Sequence, residues 1–352
     1  MAVKSLLLRN LFWIKDFLIG SPIRKQYCEI RNIFEQRGGF QKVEDESLLN
    51  ILKYAVANTS YYKCCDYDNL KTFPVVNKAI LIAHYDQIFV TEKNNPFQKD
   101  KSYHIQKTSG STGTPFSVPF DNRKRLRRIA ELKYFGKIVG YKSHDKLIQL
   151  RIWTHWQSKS KRQSFWENII PFNIGNPSDE NLLKLCNIIN NERAISIRSY
   201  ASTYDLIARY VKENNIKLPS LKVLIAGSEM LLDSTRELVK KNIGCNIVSQ
   251  YANEENGILA QELPGDDNHK FFLNYGSYHF EILKFDSDEP AELGEVGRIV
   301  ITDLFNYAFP IIRYDNGDNG VMEYDSKTQK KYISKIYGRR LDMIYDTVGN
   351  PV

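Results

Sequence analysis

The chain has 352 residues, of which 42% are hydrophobic and 26% are charged, and its formal net charge is +8 at pH 7. This hydrophobic fraction is enough for a large buried core and excludes a disordered chain. Cysteines stand at Cys28, Cys64, Cys65, Cys186 and Cys245, and no Cys-x-x-Cys spacing occurs. Neither a zinc site nor a disulfide framework is indicated, so we expect a reducing, cytoplasmic location.

The first predicted element is an apolar segment at residues 4–27. Leucine, isoleucine, phenylalanine and tryptophan dominate its first half, and Arg9, Lys15 and Asp16 interrupt them. The uninterrupted apolar runs are too short to cross a bilayer, and no small-residue cleavage site follows. The segment therefore predicts either a helix packed on the protein's own core or an amphipathic helix in peripheral contact with a membrane.

Helix and strand patterns alternate after this segment. Apolar periodicity predicts helices at 46–58, 78–84, 123–139, 179–190, 203–214 and 232–242. Strands are predicted among the later helices at 146–152, 222–226 and 246–250. This alternation predicts an α/β domain with a mostly parallel sheet.

The pattern changes near residue 270, where strands joined by turns predict a smaller β-rich subdomain. These strands are predicted at 271–275, 278–285, 297–302 and 320–324. The sequence thus predicts an N-terminal helical segment at 1–45, an α/β core at 46–265, a β-rich subdomain at 266–337 and a short final segment at 338–352.

The most informative motif is Lys-Thr-Ser-Gly-Ser-Thr-Gly-Thr-Pro at residues 107–115. Its glycines allow a ligand to approach the main chain, and its hydroxyls and N–H groups are the donors that a phosphate needs. No Gly-Lys-Ser/Thr follows, and the G-x-G-x-x-G pattern is absent. The motif predicts a phosphate-binding loop of another nucleotide fold. The alternative is a surface linker.

Further segments follow predicted strands, where ligands of α/β sheets bind. They are 226–229, 251–255 and 315–318, and each carries a carboxylate. Carboxylates at a phosphate site hold Mg²⁺ or accept hydrogen bonds from ribose, and Tyr251 could lie flat against a purine ring. For any single segment a plain turn is the better interpretation, but together with the loop at 107–115 they predict a nucleotide site.

The ordered motifs resemble the adenylate-forming superfamily of acyl-CoA synthetases, adenylation domains and luciferases. Within it, they are most similar to the phenylacetate–CoA ligase branch, which includes capsule-biosynthesis proteins of CapK type. The matching segments are 108–115, 251–255, 294–302, 309–318 and 338–344. The resemblance covers most of residues 45–352. It implies the N-terminal core of that fold, with mostly parallel sheets flanked by helices and a smaller β-rich subdomain.

The resemblance also implies a role for each matching residue. The phosphate loop would contact the β- and γ-phosphates of ATP through Thr108, Ser109, Gly110, Ser111, Thr112 and Gly113, with Thr108 counted as catalytic. The adenine pocket would be lined by Gly227, Ser228 and Glu229. Tyr251 would stack on the base, and Glu255 would be the catalytic glutamate associated with Mg²⁺. Asp318 and Arg339 would bind the ribose.

The activity implied by the resemblance is ATP-dependent, AMP-forming activation of a carboxylic acid. The acyl- or aminoacyl-adenylate would then pass to a thiol, such as that of coenzyme A, or to an amine. Capsule or other polysaccharide biosynthesis, or CoA-thioester formation, would be the setting. Weak candidates for the acid pocket are Trp153, His155, Tyr200 and Tyr204, for which aromatic core packing is an equally good account.

The sequence departs from the family pattern at several points. Ala252 and Glu254 replace a glycine and a hydroxyl residue, and we expect the charge of Glu254 to perturb metal or nucleotide affinity. Leu341 replaces the usual hinge acid. Family members continue into a lid that carries a catalytic lysine, whereas this sequence stops at Val352. We therefore expect a truncated or lidless chain that binds ATP or AMP but adenylates poorly.

Two alternatives come from other functional classes. A non-catalytic nucleotide-binding or scaffold protein could keep the same fold, as the departures from the motifs suggest. The basic cluster at 123–128 is typical of nucleic-acid binding, but a solvated helix face is the favoured interpretation, and we expect no nucleic-acid partner.

Overall fold

The computed structural model describes residues 2–35, 40–107, 116–152 and 160–339. Its helices are α1 (Ala2–Leu18), α2 (Pro22–Glu35), α3 (Phe40–Asn58), α4 (Lys78–Ala83), α5 (Tyr85–Ile88), α6 (Asn122–Ile138), α7 (Lys161–Glu167), α8 (Asp179–Asn191), α9 (Ala201–Glu213) and α10 (Asp233–Asn242). Its strands are β1 (His104–Lys107), β2 (Ser117–Phe120), β3 (Leu147–Arg151), β4 (Ile169–Asn173), β5 (Ser196–Tyr200), β6 (Val223–Gly227), β7 (Asn246–Asn253), β8 (Gly257–Gln261), β9 (Phe271–Leu273), β10 (Tyr278–Leu283), β11 (Val296–Asp303), β12 (Tyr314–Asp325) and β13 (Lys330–Arg339).

The chain divides into two compact units, each assembled from several stretches of sequence. Unit 1 comprises residues up to 24, 132–252 and 261–269. Unit 2 comprises 25–131, 253–260 and the residues from 270 onward. The linear domain bounds inferred from the sequence stay a prediction.

Unit 1 contains a parallel sheet with the strand order β7-β6-β5-β3-β4. Strand β6 is a continuous apolar run, Val-Leu-Ile-Ala, whose side chains are all buried. Such runs are typical of parallel strands covered on both faces. Helices α8 and α9 bury their apolar sides in the same core cluster as β5 and β6. The predicted α/β region with a parallel sheet is confirmed.

Unit 2 contains an antiparallel sheet in which β10, β11, β12, β13 and β9 pair in that order. The β-rich region predicted after residue 270 is therefore confirmed. The interpretation of 315–318 as a loop that follows a strand was wrong, because β12 runs from Tyr314 to Asp325. Gly317 has a φ of +86°, which glycine adopts without strain, and the strand continues through this position.

Helix α1 packs on the core of unit 1 through one face. The Phe12 ring lies 3.6 Å from the Lys133 ammonium and 5.2 Å from the His144 ring, and Arg9 pairs with Asp145. The buried Asp16 carboxylate accepts hydrogen bonds from the backbone N–H groups of residues 23 and 24 in the first turns of α2. The own-core alternative for the N-terminal segment is thus confirmed for this face of α1.

His144 makes the stability of unit 1 sensitive to acid. Its side chain is buried, and burial, followed by the charges of Lys133 and Arg9, lowers its pKa to about 4. The unfolded chain takes up this proton near pH 6.5, whereas the folded chain does not until about pH 4. We therefore expect the free energy of unfolding to fall by up to about 3 kcal/mol as the pH drops through this window.

The His144→Asn variant tests this expectation by urea unfolding at pH 7 and pH 4.5. Asparagine tolerates the positive φ of this position and carries no titrating ring. The variant should lose much of the acid sensitivity seen in the unaltered chain. The control is His269→Asn, since His269 is also in unit 1 with a positive φ, but 42% of its side-chain surface is accessible. Equal acid sensitivity in the unaltered chain and the His144 variant would contradict the assignment.

Candidate functional site

The phosphate-loop residues 108–115 lie outside the described part of the chain, as do Trp153 and His155 of the predicted acid pocket. The strands on either side of the loop are described. They form an antiparallel hairpin in which Lys107, the last residue of β1, pairs with Ser117, the first residue of β2. The described residues that flank the loop, Lys107 and Ser117, are thus cross-strand neighbours in unit 2.

Glu254 is engaged by Gln106, near the loop end of β1, and by Arg128 of α6. Its carboxylate accepts a hydrogen bond of 2.5 Å from the amide of Gln106, on β1. The Arg128 guanidinium donates to the side-chain amide oxygen of Gln106 at 3.1 Å and lies 3.9 Å from the Glu254 carboxylate. The extra negative charge in the 251–255 motif is therefore offset by a cation and tied to the strand that leads into the loop. No local pattern signals this contact, because Gln106 is 148 residues away from Glu254.

Glu255 is a buried carboxylate in the turn after β7. Burial raises the pKa of Glu255, while the charge of Lys78 and a hydrogen bond from Tyr314 oppose the increase. The Tyr314 hydroxyl donates to the carboxylate at 3.3 Å. The segment before α4 pairs with β12 at Val76 and Tyr314, which holds Lys78 and Tyr314 in the same unit as Glu255. Tyr314 and Lys78 were missed in the sequence, although Tyr314 directly follows Arg313 in the 309–318 motif.

Asp318 lies on β12, directly opposite Arg339 on β13. Its carboxylate accepts a hydrogen bond of 3.1 Å from the Asn316 amide, and its N–H donates to the Asn316 side-chain oxygen at 3.1 Å. The side chain of Asp318 is half-buried, and Arg339 is exposed. The residues that the resemblance assigns to the ribose are therefore cross-strand neighbours.

A buried ion pair supports the segment that carries Glu255. Lys124 and Asp303 are fully buried, and their charged atoms lie 2.5 Å apart. Lys124 also donates to the hydroxyl of Tyr278, which in turn donates to the backbone carbonyl of Asn256. The network joins α6 and β11 to the residue that follows Glu255.

This network also corrects an expectation about the 123–128 cluster. Lys124 and Arg127 do not belong to a solvated helix face, because both are fully buried. Arg127 donates to Ser277 and pairs with Glu29 at 3.1 Å. Among the side chains of the cluster, Arg125 is the one classed as exposed. Since buried cations cannot contact phosphates, the cluster does not form a continuous basic surface for nucleic acid.

Unit 1 carries the residues predicted for the adenine. Gly227 ends β6, and Tyr251 lies near the end of the adjacent parallel strand β7. Both therefore lie at the carboxyl edge of this sheet, where ligands of such folds bind. Ser228 has a φ of +66°, and the carboxylate of Glu229 accepts a hydrogen bond of 2.9 Å from the N–H of Ser202, in the first turn of α9.

The two tyrosines predicted for the acid pocket belong to the core of unit 1. Tyr204 is fully buried, and its hydroxyl lies within hydrogen-bond distance of the carbonyls of Ile197 and Ile225. Tyr200 is half-buried and packs against the same hydrophobic cluster. These contacts favour the core-packing account of Tyr204 over a role in lining a pocket.

A magnesium ion is compatible with one carboxylate at this site. The described residues contain no group of three or more His, Cys, Asp or Glu that could hold a metal by itself. Mg²⁺ often binds through one or two carboxylates plus substrate phosphates and water. Glu255, whose carboxylate is buried and approached by a tyrosine hydroxyl, fits such a shared site better than a closed protein cage.

Relatives of the chain are found by sequence. No protein-family model matches it. Protein CapK of Staphylococcus aureus is 24% identical over 353 residues, which is 94% of this chain and 74% of CapK. Phenylacetate-coenzyme A ligase of Thermus thermophilus is 30% identical over 134 residues, which is 36% of this chain and 29% of the ligase.

Solved structures share the fold. A 2-hydroxyisobutyryl-CoA ligase in the postadenylation state, in complex with R3-HIB-AMP, has a TM-score of 0.72 at 14% identity, covering 92% of this chain and 72% of the ligase. The open conformation of this ligase, in complex with 2-HIB-AMP and CoA, has a TM-score of 0.65 at 15% identity and covers 86% of this chain and 70% of the ligase. The anthranilate CoA ligase AuaEII, in complex with anthranoyl-AMP, has a TM-score of 0.51 at 14% identity and covers 72% of this chain and 51% of the ligase.

Proposed function

We propose that this chain, a homologue of CapK with the fold of the adenylate-forming CoA ligases, activates a carboxylic acid at the expense of ATP. The observation that carries the proposal lies in unit 2. There, the buried Glu255 carboxylate contacts the Tyr314 hydroxyl, and the strand that begins at Tyr314 also carries Asp318, opposite Arg339. A carboxylate suited to a metal-bound phosphate thus contacts the first residue of the strand that carries a carboxylate suited to ribose hydroxyls.

The proposed roles follow the chemistry of each side chain. Residues 108–113 hold the β- and γ-phosphates, Asp318 and Arg339 hold the ribose, and Gly227, Ser228, Glu229 and Tyr251 surround the adenine. Glu255 holds Mg²⁺, which, when bound, would neutralise phosphate charge. Glu254 keeps the entry strand of the loop in place through Gln106 and Arg128.

In the proposed reaction, an oxygen of the acid's carboxylate forms a bond to the α-phosphorus. The bond from the α-phosphorus to the bridging oxygen breaks, and pyrophosphate leaves with that electron pair. Little covalent assistance from the protein is needed, so catalysis depends on positioning and on neutralising charge. The resulting acyl-adenylate is a mixed anhydride that a thiol or an amine can attack.

The acceptor and the cellular setting extend this proposal. We propose coenzyme A or an amine as the acceptor, since the 2-hydroxyisobutyryl-CoA ligase binds both an acyl-AMP and CoA. The likeness to CapK supports a role in capsule or polysaccharide biosynthesis. The cysteines of the chain are free thiols, which supports a reducing, cytoplasmic compartment.

Calorimetric titration with ATP, in the presence and absence of Mg²⁺, tests the proposal. The unaltered chain should bind ATP, and Mg²⁺ should tighten binding. In Glu255→Gln we expect Mg²⁺ to change the affinity by less than about twofold, because the amide is a poorer ligand for a hard cation. Since burial raises the pKa of Glu255, the Mg²⁺ effect in the unaltered chain should strengthen with rising pH as the carboxylate loses its proton.

The matched control is Glu254→Gln, a neighbouring carboxylate that is already engaged by Gln106 and Arg128. This variant should keep the Mg²⁺ response. Failure of the folded, unaltered chain to bind ATP would refute the proposal. Binding of ATP without pyrophosphate release, when the chain is assayed with a panel of acids and CoA, would favour the non-catalytic alternative.

A further inference from the structure

The outer face of α1 leaves a row of large apolar side chains exposed in unit 1. They include Leu6, Leu7, Leu11, Ile14, Phe17 and Leu18, each with 43–75% of its surface accessible. Leu7, Leu11, Ile14 and Leu18 are spaced by three or four residues and therefore form one stripe along the helix. The opposite side of the helix packs against the protein, since Ser5, Leu8 and Asp16 are buried. Among the described residues of unit 1, none covers the stripe.

Helix α7 extends this surface. Phe165 and Trp166 are 54% and 50% exposed, although large aromatic side chains of a globular protein are usually covered. The ammonium of Lys4, in α1, lies 4.5 Å from the centre of the Phe165 ring, so the two helices are neighbours. We define the α1–α7 face as the exposed apolar residues of α1 together with Phe165 and Trp166.

The exposed charged side chains of α1 and α7 are basic, and the acidic residue of α7, Glu167, is half-buried. Lys4, Lys15, Lys161 and Arg162 are exposed on the two helices. The acidic residue of α1, Asp16, is buried and its carboxylate accepts backbone N–H groups of α2. Next to the apolar stripe, Lys4, Lys146 and Lys161 line a cleft of about 300 Å³, together with Phe165. Exposed cations beside exposed aromatic and aliphatic side chains complement a surface that has an apolar interior and an anionic outer layer.

The geometry of α1 favours a helix that lies on a bilayer. No helix in the described residues is long and apolar enough to cross a membrane. Helix α1 has 17 residues and is about 25 Å long, and Arg9, Lys15 and Asp16 interrupt its sequence. Interfacial helices of this kind combine an apolar face with lysine or arginine at its border. A protein–protein interface is less well matched, since lysine is depleted from interface cores.

We propose that the α1–α7 face is a docking surface for an anionic lipid bilayer. Helix α1 lies parallel to the membrane plane, with Leu11, Ile14 and Phe17 among the upper acyl-chain segments. Trp166 sits at the headgroup level, where indole rings are favoured. The lysines at the border of the face contact lipid phosphates, and the cleft between Lys4 and Lys161 binds one lipid phosphate. Unit 1 is thereby held at the membrane surface independently of nucleotide binding.

Co-sedimentation of the full chain with sucrose-loaded vesicles tests the proposal. Vesicles of phosphatidylcholine with about one third phosphatidylglycerol should bind the chain, and pure phosphatidylcholine should bind it at least about tenfold more weakly. Raising the salt from 0.1 M to 1 M should weaken binding, because charges are then screened over about 3 Å. Leu11→Glu and Phe17→Glu should each reduce binding by about tenfold or more. Lys4→Glu/Lys161→Glu should abolish the preference for anionic vesicles.

Leu183→Glu is the matched control, since Leu183 is an exposed leucine of unit 1 on α8, a helix that contributes no residue to this face. It should bind vesicles as the unaltered chain does. Circular dichroism of each variant would show that the fold is intact. Vesicle binding that is absent, or unchanged in Leu11→Glu and Phe17→Glu, would overturn the proposal. So would a dimer in sedimentation analysis that these variants dissociate while vesicle binding stays the same, because the face would then be an interface between two copies.

Discussion

Replacing Lys124 by methionine is expected to lower the free energy of unfolding by about 3–5 kcal/mol. The substitution keeps the length of the apolar stem but leaves the Asp303 carboxylate fully buried with no cation beside it. It also removes the ammonium that donates a hydrogen bond to the Tyr278 hydroxyl, which itself donates to the backbone carbonyl of Asn256. Urea unfolding followed by circular dichroism would measure the change as a lower midpoint.

A double variant and a neighbouring control separate this account from a general effect on α6. In Lys124→Met/Asp303→Asn the buried charge is gone, while the oxygen of the introduced amide can still accept the N–H groups of residues 305 and 306. The double variant should regain most of the lost stability. Arg125→Met, at the next position and exposed, should change the free energy of unfolding by less than about 0.5 kcal/mol. A double variant as unstable as Lys124→Met would show that the ion pair is not the cause.

Asp318→Ala is expected to weaken the binding of ATP and AMP by about 10- to 100-fold. Under the proposed function, its carboxylate accepts hydrogen bonds from the ribose hydroxyls, and a hydrogen bond to a charged group is worth about 1.5–3 kcal/mol. Because the ribose is common to both nucleotides, the loss should be equal for ATP and AMP. Calorimetric titration with each nucleotide measures it.

This pattern distinguishes the ribose site from the phosphate site. Glu255→Gln should change the response of ATP binding to Mg²⁺ and leave AMP binding nearly unaltered, whereas Asp318→Ala should affect both nucleotides without regard to Mg²⁺. The control is Asp325→Ala, at the far end of β12, where the carboxylate pairs with Lys270 and accepts turn N–H groups. It should bind both nucleotides normally. Unchanged affinity in Asp318→Ala would remove this residue from the site.

Elements with strong local signals were predicted from the sequence. Helix α8 was predicted at 179–190 and lies at Asp179–Asn191, because Ser178 caps its first turn and apolar residues recur with helical spacing. The alternation of apolar strands and helices was likewise sufficient for the parallel sheet of unit 1. Each of these patterns depends on residues that are close in the chain.

Strand β13 had no such signal. Its sequence, Lys-Lys-Tyr-Ile-Ser-Lys-Ile-Tyr-Gly-Arg, is polar and basic, and it becomes a strand by pairing with β12 along most of its length. The expected loop at 315–318 is strand for a similar reason, since Asp315 pairs with Val300 on β11 and Asp318 with Arg339 on β13. Pairing between strands depends on partners distant in sequence and on burial, so local propensity is a poor guide to it.

The sequence by itself determined the motifs, their order and the types of chemistry that they offer, since these depend only on which residues occur and how they are spaced. The tertiary structure decided which side chains accompany them. In the folded chain, Gln106 and Arg128 contact the Glu254 carboxylate, and the Tyr314 hydroxyl donates to Glu255. Lys124 and Asp303 form a buried ion pair. Such contacts join residues far apart in the chain, and packing alone decides whether a charge there is solvated, paired or available to a ligand.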